Sequence, residues 1–166
     1  MKFRSTLLPL FAALALTGYA QKDSAPALAA KPTAMPVATG AARTVEISAN
    51  DTMKYSVAML EAKAGEQLKV VFTNAGTLPK EAMGHNWVLL KAGTDAAAFA
   101  AAAATAKDTD YIPASMADKV LAKVDLLGPK KSGEAVFTVP AAGEYVFLCT
   151  FPAHFMIGMK GTLVVK

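Results

Sequence analysis

The segment Cys149-Thr150-Phe151-Pro152-Ala153-His154-Phe155-Met156-Ile157-Gly158-Met159 lies near the end of the chain and decides how the rest is interpreted. It contains the only cysteine, one of the two histidines and two of the eight methionines. The other histidine lies in Met83-Gly84-His85-Asn86-Trp87-Val88. One thiolate, two imidazoles and one thioether are the ligands of a trigonal copper site with a weak axial methionine. We therefore predict that His85, Cys149, His154 and a methionine bind one metal ion, and that the other residues form their scaffold.

The types of ligand select the metal. Thiolate and imidazole favour copper or zinc, whereas magnesium and calcium prefer oxygen ligands. A structural zinc site needs four firm ligands, but the fourth candidate here is a thioether, and Glu144 is the only acidic residue from Gly143 to the end of the chain. These features favour copper, with one ion per chain. Met159 is the preferred axial ligand, and Met156 is the alternative.

Cys149 has two other interpretations. A lone cysteine is often a small buried apolar residue, and a cysteine beside a histidine base can be a catalytic nucleophile. A nucleophile needs a feature that lowers the thiol pKa, and no helix is predicted to begin at Cys149. The concentration of the cysteine and both histidines in two short segments argues against a purely structural role. We therefore expect a copper protein that is not an enzyme.

Alternation of apolar and polar residues predicts an all-β domain. Gln67 to Asn74 alternates over its whole length, and turn signals separate it from the neighbouring runs. The Ala-rich run within Thr94–Lys107 breaks this pattern and predicts one surface helix, capped by Thr94 or Asp95. We predict an antiparallel β-sandwich with one inserted helix, with strands at 45–48, 55–57, 67–74, 86–90, 120–126, 134–139, 144–149 and 161–165.

The two ligand segments can meet only in a folded sandwich. Cys149 ends one predicted strand and Gly161 begins the last, so the eleven residues between them form a loop at one pole. His85 lies at the mouth of a strand more than sixty residues earlier. The fold is therefore predicted to form the site before the metal binds.

The first 43 residues are predicted to lie outside the folded domain. Residues 1–20 have a basic start, a short apolar run and a small-x-small end at Gly18-Tyr19-Ala20, which is typical of an export signal. Residues 21–43 are rich in Ala, Pro, Thr and Lys and predict a disordered linker before a domain at 44–166. We expect a periplasmic protein, with a membrane tether only if the signal is not cleaved.

The net charge of +4 arises before the predicted domain. Five basic residues and one acidic residue precede Thr44, which leaves 12 of each sign from Thr44 onward. Binding to nucleic acid requires a basic face on the folded part of a protein, so the composition argues against it. The single cysteine also excludes an internal disulfide.

The ligand segments resemble those of the azurins. Met83 to Leu89, Cys149 to His154 and Met159 to Leu163 are similar to the copper-binding segments of these small periplasmic blue-copper proteins, which are cupredoxins. The resemblance covers most of the predicted domain and implies the cupredoxin fold, a Greek-key β-sandwich. The spacing differs, because four residues separate His154 from Met159, as in auracyanins and plastocyanins, whereas azurins have three.

The resemblance implies roles for residues beside the metal. Gly84 matches the residue whose carbonyl approaches copper from the side opposite the methionine, as a weak ligand. Asn86 matches a residue that ties the two ligand segments together, and we expect Thr150 to take part in this support. The equatorial ligands of the family are matched by His85, Cys149 and His154.

The ligand set and the resemblance predict a one-electron carrier. Its partners would be redox proteins, such as cytochromes or a copper- or haem-containing reductase, and no substrate is expected. The partners would dock on an apolar face around an exposed His154, formed by Phe151, Phe155, Met156 and Ile157, with Ala153 beside them. The alternative is a periplasmic copper-binding and delivery protein, which is disfavoured because the linker contains only Met35 and no histidine.

Overall fold

A computed structural model describes residues 41–166 of the chain. The predicted signal at 1–20 and residues 21–40 of the predicted linker lie outside the described residues. The first strand begins one residue before the predicted domain boundary at Thr44. The strands within residues 41–166 are β1 (Arg43–Ala49), β2 (Met59–Ala62), β3 (Gln67–Asn74), β4 (His85–Leu90), β5 (Val120–Leu127), β6 (Lys131–Thr138), β7 (Gly143–Leu148) and β8 (Lys160–Val165).

The helices are short. They are the α-helices α1 (Lys80–Met83) and α2 (Ala96–Ala103) and the 3₁₀ helices Lys107–Thr109 and Ala114–Lys119. Within the described part of the chain, none is long and apolar enough to cross a bilayer.

The strands form two sheets, as the predicted sandwich requires. One sheet has three strands in the order β1-β3-β6, and the other has five in the order β2-β8-β7-β4-β5. Four of the strand pairs are antiparallel. β1 pairs with β3 in parallel, and so does β2 with β8. The chain leaves the first sheet after β1, runs through β2 in the second sheet and returns as β3, so β1 and β3 point the same way.

One of the predicted strands is wrong. At 55–57 the chain makes only a single bridge, between Tyr55 and Ala49, and the strand lies further on, at Met59–Ala62. The Tyr55 ring instead packs edge-on against Phe72 and Phe147 in the core. The sequence of β2 is Met-Leu-Glu-Ala, which consists of good helix formers, so its composition does not indicate a strand.

The inserted helix lies within the predicted range. The Asp95 carboxylate accepts hydrogen bonds from the backbone N–H groups of Ala97 and Ala98, at 2.9 and 3.0 Å, and so caps α2. Phe99 and Ala103 face inward, and Phe99 packs against β4 and β7. The additional helix α1 is a single turn after Pro79, too short to give a periodic pattern.

The core lies between the two sheets, and the strands that border it alternate between buried and more exposed residues where only one face is covered. β3 alternates strictly between half-buried and buried residues, and β4 is buried throughout. Trp87 is fully buried and lies against Phe137 and Phe147, with ring centroids 6.2 and 5.7 Å away. The scaffold therefore has a continuous apolar interior, and the strand ends of the larger sheet carry the candidate ligands.

Candidate metal centre

The register of β4 and β7 brings the two ligand segments together. Val88 of β4 pairs with Leu148 of β7 in an antiparallel arrangement. Because the two strands run in opposite directions, the end of β7 lies beside the start of β4. Cys149 therefore leaves β7 at the end of the sheet where His85 begins β4.

Backbone hydrogen bonds fold residues 149–159 into a compact loop. The N–H of His154 donates to the Phe151 carbonyl at 3.1 Å, and the N–H of Met159 donates to the His154 carbonyl at 2.9 Å. The N–H of Cys149 donates to the Met159 carbonyl at 3.1 Å and closes the loop. This closure holds His154 and Met159 close to Cys149.

The three predicted equatorial ligands converge on one point. The candidate ligand atoms of His85, Cys149 and His154 all lie within 4.8 Å of one another. The two Nδ1 atoms are 3.2 Å apart, and Cys149 Sγ lies 3.4 Å from His154 Nδ1. All three side chains are buried, with at most 2% of their surface exposed. Strand register and the backbone hydrogen bonds of the loop thus bring the three donor atoms together.

The donor set fits copper. Two imidazole nitrogens and one sulfur face one another, and the cluster contains no carboxylate. A thiolate and two imidazoles select a soft or borderline metal ion.

Burial controls the protonation of these groups in the metal-free protein. It raises the pKa of the Cys149 thiol to about 12. Burial, with a smaller effect from the charge of His85, lowers the pKa of His154 to about 4. Burial also lowers the pKa of His85. At neutral pH the metal-free site therefore contains a thiol and two neutral imidazoles, and a metal ion has to displace only the thiol proton.

The two candidate axial methionines differ sharply in burial. Met159 is fully buried, whereas the Met156 side chain is 80% exposed. Both belong to the loop that carries His154, but Met159 closes it through backbone hydrogen bonds to His154 and Cys149. This contrast favours Met159 as the methionine that faces the cluster.

Gly84 lies directly before His85 in a tight space. A Cβ atom at this position would lie 2.7 Å from the Lys80 carbonyl oxygen and 3.0 Å from Leu126 Cγ. Only glycine therefore allows α1 and β5 to pack this closely around the start of β4. Its carbonyl is the predicted weak ligand.

Asn86 and Thr150 connect the two ligand segments. Asn86 Nδ2 donates to Thr150 Oγ1 at 2.6 Å, and the Thr150 N–H donates to Asn86 Oδ1 at 2.8 Å. Asn86 follows His85 and Thr150 follows Cys149, so this reciprocal pair fixes the distance between the two ligand segments. The Tyr55 hydroxyl, which the sequence did not single out, donates to the Asn86 carbonyl at 2.6 Å.

The apolar face is smaller than expected, and His154 itself is not exposed. Met156 and Ile157 are 80% and 49% exposed, whereas Phe151 is buried at 9%. Phe155 is half-buried, with the Lys160 ammonium 4.6 Å from its ring centroid. His154 is only 2% exposed because its ring packs against Phe151, at a centroid distance of 4.7 Å. Ala153, beside it, is exposed.

Comparison with known proteins agrees with this chemistry. The model of the family described as copper binding proteins, plastocyanin/azurin family, matches residues 41–166. Auracyanin-B of Chloroflexus aurantiacus is 37% identical over 126 residues, which are 75% of this chain, and the chain spans 52% of the length of that relative. Azurin of Pseudomonas aeruginosa is 36% identical over 126 residues, 74% of this chain and 84% of the azurin.

Solved structures give the same result for the fold. The crystal structure of dithionite-reduced auracyanin from the photosynthetic bacterium Roseiflexus castenholzii matches with a TM-score of 0.68 and 37% identity. The match covers 76% of this chain and 99% of that auracyanin. The two-sheet architecture is therefore the cupredoxin sandwich, and copper is the cofactor that its donor set fits. The chain belongs to the plastocyanin/azurin family of copper-binding proteins.

Proposed function

We propose that this protein is a one-electron carrier with a type 1 copper site in the periplasm. His85, Cys149, His154 and Met159 would hold the copper, and the Gly84 carbonyl would be an additional weak ligand. The observation that carries the proposal is the buried convergence of one sulfur and two imidazole nitrogens within 4.8 Å. The bound copper would supply the redox chemistry by cycling between Cu(II) and Cu(I).

The residues around the site favour electron transfer over substrate chemistry. A carrier needs ligands that keep their positions when the charge on the metal changes. The Asn86–Thr150 pair and the closed loop at 149–159 restrain the ligands. The ligands are also at most 2% exposed, so a substrate molecule has no access to them. These features support a role as a carrier that is not an enzyme.

The partners would be redox proteins, such as cytochromes or a copper- or haem-containing reductase. Met156 and Ile157 are exposed apolar residues on the loop that carries His154, and we propose that they form the centre of the docking face. An electron would leave through the His154 ring, which lies just below this surface. The charge balance from Thr44 onward favours weak apolar contact over electrostatic steering.

The periplasmic location and the domain boundaries rest on the sequence. Residues 1–20 have the pattern of an export signal and residues 21–43 that of a linker. Cleavage of the signal would release a soluble carrier, and an uncleaved signal would tether the domain at 44–166 to the membrane.

The test is an absorption spectrum of the purified protein with one equivalent of Cu(II). We expect an intense thiolate-to-copper charge-transfer band in the red, which disappears on reduction with ascorbate. The Cys149→Ser variant is the matched control and should lack the band, because an alcohol cannot replace the thiolate as an electron donor. A colourless copper complex in the wild-type protein would contradict the proposal.

Electron exchange separates a carrier from a copper-delivery protein. In a carrier, mixing the Cu(I) and Cu(II) forms should broaden the nuclear magnetic resonances of residues near the site through rapid self-exchange. The same protein should keep its copper during prolonged incubation with an apo-acceptor. Rapid loss of copper without electron exchange would favour delivery.

A further inference from the structure

Three aromatic rings extend from His154 toward the surface. The His154 and Phe151 rings have centroids 4.7 Å apart, and the Phe151 and Tyr111 rings are 5.1 Å apart in an edge-to-face arrangement at 64°. Both distances are those of favourable aromatic pairs. Phe151 and Tyr111 are 9% and 8% exposed. Both also border a surface cavity of about 190 Å³, so the row of rings ends at this cavity.

The backbone that carries Tyr111 has an unusual conformation. Asp110 and Tyr111 have φ angles of 51° and 62°, in the left-handed region. This region is unfavourable for a residue with a Cβ atom, and bulky residues adopt it only where their surroundings hold them there. The two consecutive residues therefore indicate that contacts hold the backbone at Tyr111 in this conformation.

Those contacts reach the ligand segments. The N–H of Tyr111 donates to the Ala106 carbonyl at 2.8 Å, and Lys80 Nζ lies 3.1 Å from the Asp110 carboxylate. Asn86 Nδ2 lies 3.5 Å from the Asp110 carbonyl oxygen. The same Asn86 side chain is paired with Thr150. The backbone at Tyr111 is thus linked to the residues that follow His85 and Cys149.

We propose that Tyr111 is a positioning residue for the copper site, acting through Phe151 on His154. Its ring packs edge-on against Phe151 beside the cavity, and Phe151 in turn packs against the imidazole and would fix its plane. Loss of the Tyr111 ring would let Phe151 move into the enlarged cavity and would free His154. The hydroxyl is not required for this role. The inference rests on the proposed role of His154 as a copper ligand.

The experiment compares three substitutions in the full chain. Tyr111→Ala removes the ring, and Tyr111→Phe keeps the ring without the hydroxyl. Tyr145→Ala is the matched control, because Tyr145 is similarly buried at 6% and lies in β7 opposite Leu163, in the body of the sheet. The first readout is the rate at which excess EDTA removes Cu(II), followed through the thiolate-to-copper absorption. The second is the line width of the His154 ring resonances in the metal-free protein.

We expect Tyr111→Ala to release copper at least five-fold faster than the wild type and to broaden the His154 resonances. Tyr111→Phe and Tyr145→Ala should both stay within two-fold of the wild-type rate. The proposal is overturned if Tyr111→Ala also stays within two-fold with unchanged line widths. It is equally overturned if Tyr145→Ala accelerates release as much, because the effect would then be general destabilisation.

Misfolding of the variant and failure of the proposed function can each be told apart from failure of this proposal. If Tyr111→Ala does not fold, Tyr111→Leu fills more of the space without a ring, and the same criteria apply to it. Failure of the proposed function would appear as a wild-type protein without the charge-transfer band. The line widths of the metal-free proteins would still decide whether Tyr111 positions His154.

Discussion

At the scale of single residues, burial decides which of the proposed ligand side chains carry a proton. The pKa of Cys149 is raised to about 12, and that of His154 is lowered to about 4. At pH 7 the thiol is therefore protonated and the His154 imidazole is neutral. We predict that binding of one Cu(II) ion at pH 7 releases one proton, from Cys149. Calorimetric titration in buffers of different ionisation enthalpy measures this number.

The same pKa values give the direction in which proton release and copper affinity change with pH. Between pH 7 and pH 9 the number of protons released should stay at one, because the thiol remains protonated and both imidazoles are neutral there. As the pH falls through about 4, His154 binds a proton that copper must also displace, so copper affinity should fall. The Cys149→Ser variant should release no proton. A release near zero for the wild type at pH 7 would mean that the thiolate exists before the metal binds.

The two methionines of the loop give a matched pair of substitutions. Met159 is fully buried and Met156 is 80% exposed. We predict that Met159→Leu raises the reduction potential, because a hydrocarbon in place of the thioether makes the surroundings of the metal more apolar and disfavours the more highly charged Cu(II). Met156→Leu should leave the potential unchanged. Since Leu and Met have similar volumes, Met159→Leu should cost the metal-free protein less than about 1.5 kcal/mol in unfolding free energy.

Voltammetry of the two variants under one set of conditions is the measurement. A shift of the reduction potential in Met156→Leu with none in Met159→Leu would mean that Met156, and not Met159, is the copper ligand. Denaturant titration of the metal-free variants provides the control, since a large loss of stability in Met159→Leu would indicate that the loop has rearranged.

The residue types of the site were predictable from the sequence, but their exposure was not. Cysteine and histidine are so rare in this chain that their clustering stands out. Whether His154 is exposed depends on how Phe151 packs against it, and the Phe151 ring in turn packs against Tyr111. Tyr111 comes from a distant loop with left-handed backbone angles, and no periodic pattern in the sequence indicates such a loop.

At the scale of elements, the strands with clear alternation were predicted and the weakly patterned elements were not. β3 alternates along its whole length and was predicted with its observed bounds. β2 has only four residues, and its position is decided by its pairing with β8. The turn α1 likewise has only four residues. Such elements exist because neighbours hold them, so their local sequence carries little signal.

The start of β1 depends on one side chain. Arg43 Nη2 donates to Glu66 Oε1 and to the Glu61 carbonyl, both at 2.7 Å. Since Glu61 belongs to β2 in the other sheet, Arg43 connects the edges of the two sheets. We predict that Arg43→Ala lowers the unfolding free energy by about 1 kcal/mol, which is at the upper end for a partly exposed pair because a backbone carbonyl is also lost.

Urea titration measures this loss, and Lys123→Ala is the matched control. The Lys123 ion pair with Asp125 is within a single strand and is exposed, so its removal should change the unfolding free energy by less than about 0.5 kcal/mol. Equal effects of the two substitutions would show that Arg43 does not connect the sheets in solution. Added salt should weaken the Arg43 effect only in part, because its hydrogen bond to a carbonyl is less screened.

At the scale of the whole molecule, the scaffold and the metal site have different sources of stability. The two sheets share a continuous apolar core that includes the fully buried Trp87. The three proposed ligands are held by strand register and loop hydrogen bonds, which are backbone contacts and do not involve the donor atoms of the ligands. We therefore predict that removal of copper leaves the fold intact, in contrast to small zinc domains that unfold without metal. Copper should add only the stability that follows from its binding equilibrium.

The fluorescence of the single tryptophan, Trp87, tests whether the fold persists without copper. Trp87 is 0% exposed, and its Nε1–H has no hydrogen-bond partner among residues 41–166, so its fluorescence should lie at shorter wavelength than that of a solvated indole. The metal-free and the copper-bound protein should emit at the same wavelength, and urea should shift both to the red. Each tenfold excess of free copper over its dissociation constant should add about 1.4 kcal/mol to the unfolding free energy. A solvated emission spectrum in the metal-free protein would instead mean that copper binding and folding are one step, because the core around Trp87 would then depend on the metal.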